Sequence, residues 1–157
     1  MAKNTSKDAK QAQKAPKQAV EPILQFVGQY LKDASFECSV PSFIGDTPQL
    51  KFDLQVGVQI IDLSHELKEV IVTLKGLAKN KDDKAHYLAE TSASGVFHVE
   101  NIAPEQFQPM LGIDGAAMVF PLARQALLSA IADGSYQTPP IGPIDFRRLF
   151  ENSQKQK

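Results

Sequence analysis

Alternation of apolar and polar residues is the clearest pattern in the chain, and it is strict from Leu50 to Ile60. Successive side chains of a strand point to opposite faces, so this pattern predicts a long strand with one buried and one wet face. Less regular alternation predicts three further strands over residues 23–38, 67–77 and 86–99. We expect a kink or bulge in the first of them, around Lys32-Asp33.

A helical period replaces this alternation after residue 99. Pro104 suits the first position of a short helix, because the missing N–H of a proline is not needed there. Pro109 and Gly112 are expected to end that helix, since both residues weaken a helix interior. The sequence then predicts a loop over residues 113–117.

Two more helices are predicted towards the end of the chain, over residues 118–133 and 146–153. Gly134 is expected to follow the first of them as its C′ residue, and Asp145 to cap the second. Small residues give the longer helix a surface that another helix can approach closely; they are Ala116, Ala123, Ala126 and Ala130.

These elements predict an α+β fold, a four-stranded antiparallel sheet with helices packed on one face. Such a unit leaves two sheet edges and one sheet face open, so we expect it to assemble as a dimer of dimers. Residues 1–21 are rich in Lys, Gln and Ala and predict a flexible arm, residues 22–153 form the folded domain, and residues 154–157 are a short polar tail.

Composition narrows the possible partners. The 157 residues are 43% hydrophobic and 22% charged, with a net charge of -1, which is typical of a soluble globular protein without a field that attracts nucleic acid. We find neither a signal peptide nor a run of about 18 apolar residues. Together with a single cysteine, this predicts a cytoplasmic protein that does not insert into a membrane.

Catalytic and cofactor motifs are absent from the sequence. It contains no phosphate-binding or dinucleotide-binding glycine motif, no G-x-S-x-G and no H-E-x-x-H. The histidines, His65, His86 and His98, belong to different segments without the spacing of metal ligands. Cys38 lacks neighbours that would activate a thiol. We therefore expect no enzyme activity, no metal site and no cofactor.

Several separated motifs resemble the SecB family of export chaperones, in the right order from about residue 25 to 152. Residues 30–37, YLKDASFE, resemble the family's Y-x-K-D-x-S-F-E strand. The other matches are Val119-Phe-Pro-Leu-Ala-Arg124, which is similar to F-P-x-A-R, Leu88-Ala-Glu90 ahead of Gly95-Val-Phe97, and Gly142-Pro-Ile-Asp-Phe-Arg-Arg-Leu-Phe150, which is similar to A-P-x-N/D-F-x-x-L-F.

The resemblance implies a cytosolic homotetramer that keeps precursor proteins unfolded and delivers them to the SecA motor. It needs no nucleotide or metal of its own. In the family, acidic residues on the flat sheet face bind the C-terminal zinc-binding tail of SecA. These residues correspond by motif to Asp33, Glu37 and Glu90, with Leu88 beside them.

The resemblance also implies long apolar grooves that bind extended client segments. Flexible methionines suit such promiscuous surfaces, whereas core packing is the alternative for Phe52 and Leu54. The candidates are Phe43, Ile44, Phe52, Leu54, Met110, Ile113, Met118 and Tyr136.

Two other functional classes remain open from the residues alone. A small-ligand binding domain would use the same apolar residues to enclose a cavity within one subunit, and an interaction adaptor would have no client groove. A chaperone is expected to form a tetramer and to suppress aggregation of an unfolded precursor, which neither alternative requires.

Overall fold

A four-stranded antiparallel sheet forms the centre of the protein, as predicted. The computed structural model describes residues 20–45 and 49–155, so most of the predicted N-terminal arm lies outside the described residues. The strands are β1 (Ile23–Cys38), β2 (Lys51–Asp62), β3 (Leu67–Lys79) and β4 (Ala85–Glu100), in the spatial order β1-β4-β3-β2. β1 and β2 are therefore the two edges of the sheet.

The predicted bulge in β1 is confirmed. The pairing of β1 with β4 shifts register between Leu31 and Asp33, and shifts once more between Phe26 and Gly28. An extra residue in one strand interrupts the alternation of side chains, so residues on either side of it can face the same way.

The predicted loop over residues 113–117 is wrong, because the chain stays helical there. α1 (Pro104–Met110) continues through a π-helical turn (Leu111–Gly115) into α2 (Ala116–Asp133). Pro109 lies inside α1, and the wider turn after it keeps the backbone hydrogen bonded: the N–H of Ala116 donates to the carbonyls of Ile113 and Leu111. The proline thus changes the helical geometry without ending the helix.

Gly112 serves packing and does not end the helix. It is buried, and a Cβ atom placed on it would lie 2.7 Å from Cδ2 of Phe150 in α3 (Phe146–Lys155). The missing side chain therefore lets α3 pack against the π-helical turn. α3 begins as predicted, since the N–H of Arg148 donates to Oδ1 of Asp145 at 3.0 Å, and it extends through Lys155 into the predicted polar tail.

The end of α2 also differs from the prediction. Gly134 has an ordinary φ of -73°, and it is Ser135 that takes the left-handed conformation, with φ of 63°. A Cβ atom on Gly134 would lie 2.2 Å from Cζ of Phe36, so glycine is needed here for the close approach of β1. The prediction that Gly134 is the C′ residue is therefore wrong, because Gly134 is the C-cap residue of α2.

The helices cover one face of the sheet, which we call the helix face, and the opposite face is the open face. α2 packs against β1, β3 and β4, and the core lies between them. Ala116 and Ala123 are fully buried in this core, and Oγ1 of Thr91 donates to the carbonyl of Ala123 at 3.1 Å. These two alanines therefore let α2 approach the sheet, whereas the prediction assigned them to a contact with another helix.

By length and composition alone, the helical segment Pro104–Asp133 is long and apolar enough to cross a membrane. The core helix of a soluble protein meets the same criterion, and here the segment packs on the sheet with 39% of its most apolar window buried. The apolar residues that stay exposed on it, such as Met110 and Met118, are relevant to binding.

Candidate functional site

The register of the strands brings together the four residues predicted to bind SecA. Glu37 pairs with Leu88, and two residues further along each strand Ser35 pairs with Glu90. Asp33 pairs with the next residue of the same face of β4, Ser92. Asp33, Glu37, Leu88 and Glu90 therefore share the open face, and we call this set the acidic patch.

Glu90 lies at the centre of the acidic patch. Ser35 of β1 lies directly opposite Glu90, and Asp33 and Glu37 lie two residues before and after Ser35 on the same face. The Cβ atoms of such diagonal neighbours are about 7 Å apart. Lys75 on β3 pairs with Glu90, and its Nζ lies 3.4 Å from Oε2. This ion pair is exposed, so water screens much of its attraction. The patch combines three carboxylates with one apolar side chain on a flat surface.

Two other residues of the YLKDASFE motif hold the edge strand β1 to the sheet. The Tyr30 hydroxyl donates to Oε1 of Glu69, and Lys32 Nζ lies 2.9 Å from Oε2 and 3.0 Å from Oε1 of the same carboxylate. Glu69 belongs to β3, so this group, the Glu69 clasp, spans the intervening strand β4. Within the motif, Tyr30 and Lys32 thus form internal contacts, whereas Asp33 and Glu37 stay exposed.

Glu69 is only 2% exposed. Burial raises its pKa, but hydrogen bonds from Tyr30 and Lys32 favour the charged form more strongly and hold the pKa below its usual value. The same hydrogen bond to Glu69 raises the pKa of Lys32. The clasp is therefore a charged pair at neutral pH. It was not predicted from the sequence, although a glutamate directly before the apolar run Val70–Val72 was a signal for it.

Replacing Glu69 by Gln is expected to lower the free energy of unfolding at pH 7 by about 1–2 kcal/mol, because the hydrogen bonds from Tyr30 and Lys32 lose their charged acceptor while Lys32 keeps contact with water. In the wild type this contribution is complete above the usual pKa of 4.5 and is lost as pH falls through the lower folded pKa. The free energy of unfolding of Glu69→Gln should therefore depend less on pH in the acid range than that of the wild type. Urea unfolding at several pH values and one protein concentration measures both effects.

Asp53→Asn is the matched control for this prediction. Asp53 lies on the open face of β2 and pairs with Lys51 at 3.4 Å, but this ion pair is exposed. Its loss should change the free energy of unfolding by less than about 0.5 kcal/mol. Equal acid sensitivity of the wild type and Glu69→Gln would show that the clasp does not stabilise the fold.

The crossover after β1 carries two strongly exposed apolar side chains. Phe43 is 76% exposed and Ile44 is 62% exposed. Hydrogen bonds hold the crossover against the segment after α2: Ser42 Oγ donates to the carbonyl of Ser135, and the Tyr136 hydroxyl donates to the carbonyl of Val40. Two large apolar side chains are thus presented to solvent from a backbone that is tied to the fold.

An aromatic cluster lies under this crossover. The rings of Tyr87 and Tyr136 are 4.6 Å apart, and Phe36 and Phe52 complete the cluster. Tyr136 is 7% exposed, and burial raises its pKa to about 12, with the thiol of Cys38 3.8 Å from its hydroxyl. The predicted client residue Tyr136 therefore lies inside the fold, below the exposed pair Phe43 and Ile44, and its contact with clients stays a prediction.

The remaining candidate client residues are not all brought together. Leu54 is half-buried on the helix face of β2, two residues after Phe52. Met110 and Met118 are exposed, and Ile113 between them is partly buried. These three residues lie in the end of α1, the π-helical turn and the first turn of α2, and Met118 is about 24 Å along the helix from Gly134, which contacts Phe36 of the aromatic cluster. One subunit thus carries two separate groups of candidate residues.

A cleft that the sequence analysis did not predict lies between β2, the π-helical turn and α3. Its volume is about 470 Å³, and it is open along the edge strand β2. The apolar residues Phe146, Leu149 and Phe150 of the last helix recur at helical spacing and were the available signal, but the surface they contact depends on the packing of α3. Its lining includes Val56, Val58, Ile60, Gly112, Leu149 and Phe150.

Comparison with known proteins gives a consistent result over nearly the whole chain. A sequence profile of the family described as SecB, preprotein translocase subunit SecB, matches residues 17–157. A curated relative from Magnetococcus marinus, named protein-export protein SecB, is 34% identical over 142 residues, which cover 88% of this chain and 89% of the relative. A relative of the same name from Rickettsia bellii is 35% identical over 140 residues, covering 86% and 90%.

A solved structure shares the fold. It is the Rv1957 SecB-like chaperone of Mycobacterium tuberculosis, in complex with a ChAD peptide from the Rv1956 HigA1 antitoxin. The TM-score is 0.64 with 12% sequence identity, and the match covers 77% of this chain and 90% of the other. The sequence matches and the shared fold agree, and the chain belongs to the SecB family of protein-export chaperones.

Proposed function

We propose that this protein is a holdase that keeps precursor proteins unfolded in the cytoplasm and delivers them to the SecA motor for export. Family membership supports the general role. The observation that carries the specific proposal is the convergence of Asp33, Glu37 and Glu90 with Leu88 on one uncovered sheet face. A flat acidic surface of this kind suits delivery to a basic partner.

The acidic patch is proposed to bind the C-terminal zinc-binding tail of SecA. Its carboxylates attract a basic, metal-bearing peptide, and Leu88 adds apolar contact at the centre of the interface. The Glu69 clasp holds the edge strand that carries Asp33 and Glu37, so little ordering of the patch is needed on binding.

Client binding is proposed to use exposed apolar surfaces outside the acidic patch. Phe43 and Ile44 offer apolar area that extended, unfolded segments can cover, and the cleft beside β2 is open to a second segment. The edge strand β2 also presents unpaired backbone groups, which suit an extended chain of any sequence. The mycobacterial SecB-like chaperone with a bound peptide is an example of peptide binding on this fold.

The assembly is proposed to be a homotetramer, built as a dimer of dimers. The edge strand β1 is exposed along its length and carries apolar side chains that a second copy would cover, among them Phe26, Val27 and Leu31. The outer surface of α2 offers a second contact around Pro121 and Leu128. Two different self-complementary surfaces on each copy generate a closed assembly of four.

Light scattering combined with an aggregation assay tests the proposal. The purified chain should have the mass of four subunits, and it should suppress aggregation of a chemically unfolded precursor. A folded monomer without this effect would contradict the proposal and favour the small-ligand binding domain. A tetramer that binds SecA but does not suppress aggregation would favour an interaction adaptor.

A further inference from the structure

Three possible metal ligands converge at the end of the open face that is remote from the acidic patch. They are Glu66, in the turn between β2 and β3, and His98 and Glu100, near the end of β4. We call them the Glu66 cluster. Along β4, His98 lies eight residues beyond Glu90, which is about 27 Å, so the cluster is separate from the surface proposed to bind SecA.

The strand geometry produces this convergence. His98 and Glu100 are two residues apart on β4, so their side chains point to the same face of the sheet. Glu66 directly precedes β3, whose first residue, Leu67, pairs with His98. The backbone N–H of Val99 donates to the carbonyl of Glu66 at 2.7 Å and fixes the turn beside β4.

The distances within the Glu66 cluster suit one small cation. Nε2 of His98 lies 3.3 Å from Oε2 of Glu66 and 3.9 Å from Oε2 of Glu100, and all three ligand atoms lie within 4.8 Å of one another. Zn²⁺ binds histidine nitrogen and carboxylate oxygen at about 2.0–2.2 Å in a tetrahedron, which places its ligand atoms about 3.3 Å apart. Rotation of the two glutamate side chains closes the remaining difference.

The charges around the Glu66 cluster also favour a cation. In residues 20–45 and 49–155, no lysine or arginine forms an ion pair with Glu66 or Glu100. The nearby Lys68 is occupied, since its Nζ lies 3.0 Å from Oδ1 of Asp62 and donates to two backbone carbonyls of the same turn. Two carboxylates thus share a single imidazole.

Glu100 is oriented from outside the cluster. Nδ2 of Asn101 lies 3.5 Å from Oε1 of Glu100, a long hydrogen bond that leaves Oε2 directed at His98. Asn101 also donates to the backbone carbonyl of Glu21 at 3.2 Å, which keeps it in place. Metal ligands commonly have such outer partners, because these fix the ligand atom that faces the ion.

We propose that Glu66, His98 and Glu100 bind one divalent transition-metal ion per subunit, with Zn²⁺ as the ion that this ligand set suits best. Three protein ligands leave a fourth position for water or a further donor. The sequence spacing of the histidines alone predicted no metal site, because Glu66 is 32 residues from His98 along the chain and reaches it only through the pairing of β3 with β4.

Isothermal titration calorimetry with ZnCl₂ on the full-length assembled protein tests the proposal. We expect about one Zn²⁺ per chain in the wild type. Loss of an outer-shell partner alone weakens metal sites by about 10- to 100-fold, so His98→Gln should weaken binding by at least about tenfold, and Glu100→Gln should do the same. Because the site joins the β2–β3 turn to the end of β4, Zn²⁺ should also raise the Tm of the wild type and leave that of His98→Gln unchanged.

His65→Gln is the matched control, because it removes an exposed imidazole one residue before Glu66 that is not part of the cluster. It should bind Zn²⁺ as the wild type does. Circular dichroism establishes that each variant is folded before titration. The proposal is overturned if the wild type binds no Zn²⁺, or if His98→Gln and Glu100→Gln, both folded, bind it with the affinity of the wild type.

Discussion

The double variant Leu88→Ala/Glu90→Gln is expected to bind the zinc-binding tail of SecA at least about tenfold more weakly than the wild type while suppressing precursor aggregation normally. Glu90 is the central carboxylate of the acidic patch and Leu88 its apolar residue. Truncating groups at the centre of an interface typically has a larger effect than truncating groups at its rim. Calorimetric titration with the tail peptide measures the affinity.

Salt dependence separates the charge contribution from the apolar one in this experiment. Attraction between exposed charges is screened as ionic strength rises, so wild-type affinity should fall with added salt and that of the double variant should fall less. Leu63→Ala/Asp53→Asn is the matched control, since it removes an exposed leucine in the β2–β3 turn and an exposed acid of β2. Unchanged SecA affinity in a folded Leu88→Ala/Glu90→Gln tetramer would refute the docking site.

The double variant Phe43→Ser/Ile44→Ser is expected to lose most of its ability to suppress precursor aggregation while its affinity for SecA stays the same. Both side chains are exposed in the subunit, so their replacement removes apolar area available to clients without opening a cavity. The free energy of unfolding should change by no more than about 0.5 kcal/mol, as for other surface substitutions. Light scattering of an aggregating precursor measures the loss.

The conservative variant Phe43→Leu/Ile44→Val tests whether apolar area is what matters. It keeps most of the exposed apolar surface and should suppress aggregation nearly as well as the wild type. If the serine variant also retained full activity as a folded tetramer, clients would have to bind elsewhere, with the cleft between β2 and α3 as the next surface to test.

The strands were predicted to within about two residues because alternation is a local property of the chain. β2 was predicted over residues 50–60 and spans Lys51–Asp62, and the predicted Asp145 cap is confirmed. The helical region was predicted less well. Pro109 and Gly112 were expected to end a helix, but a π-helical turn accommodates the proline, and the glycine makes room for Phe150. Such compensation depends on packing partners that are remote in sequence.

The sequence motifs predicted the family of the protein, and the comparison with known proteins confirmed that family. SecB is a family of chaperones, which also confirms the expectation that the protein is not an enzyme. The motifs name the residues of the acidic patch, but the position of Tyr30 on the same face as Asp33 and Glu37 depends on the bulge between Leu31 and Asp33. In an unbulged strand, Tyr30 and Asp33 would face opposite ways, and Tyr30 could not reach Glu69 on the open face.

The sequence by itself therefore determined the strand positions, the order of the elements and the family, because periodicity and motifs are read from neighbouring residues. Only the tertiary structure decided which side chains meet: the acidic patch, the Glu69 clasp, the buried position of Tyr136 and the Glu66 cluster. The physical reason is strand register, since a shift of one residue moves a side chain to the other face of the sheet. Register is set by pairing and packing across the whole fold.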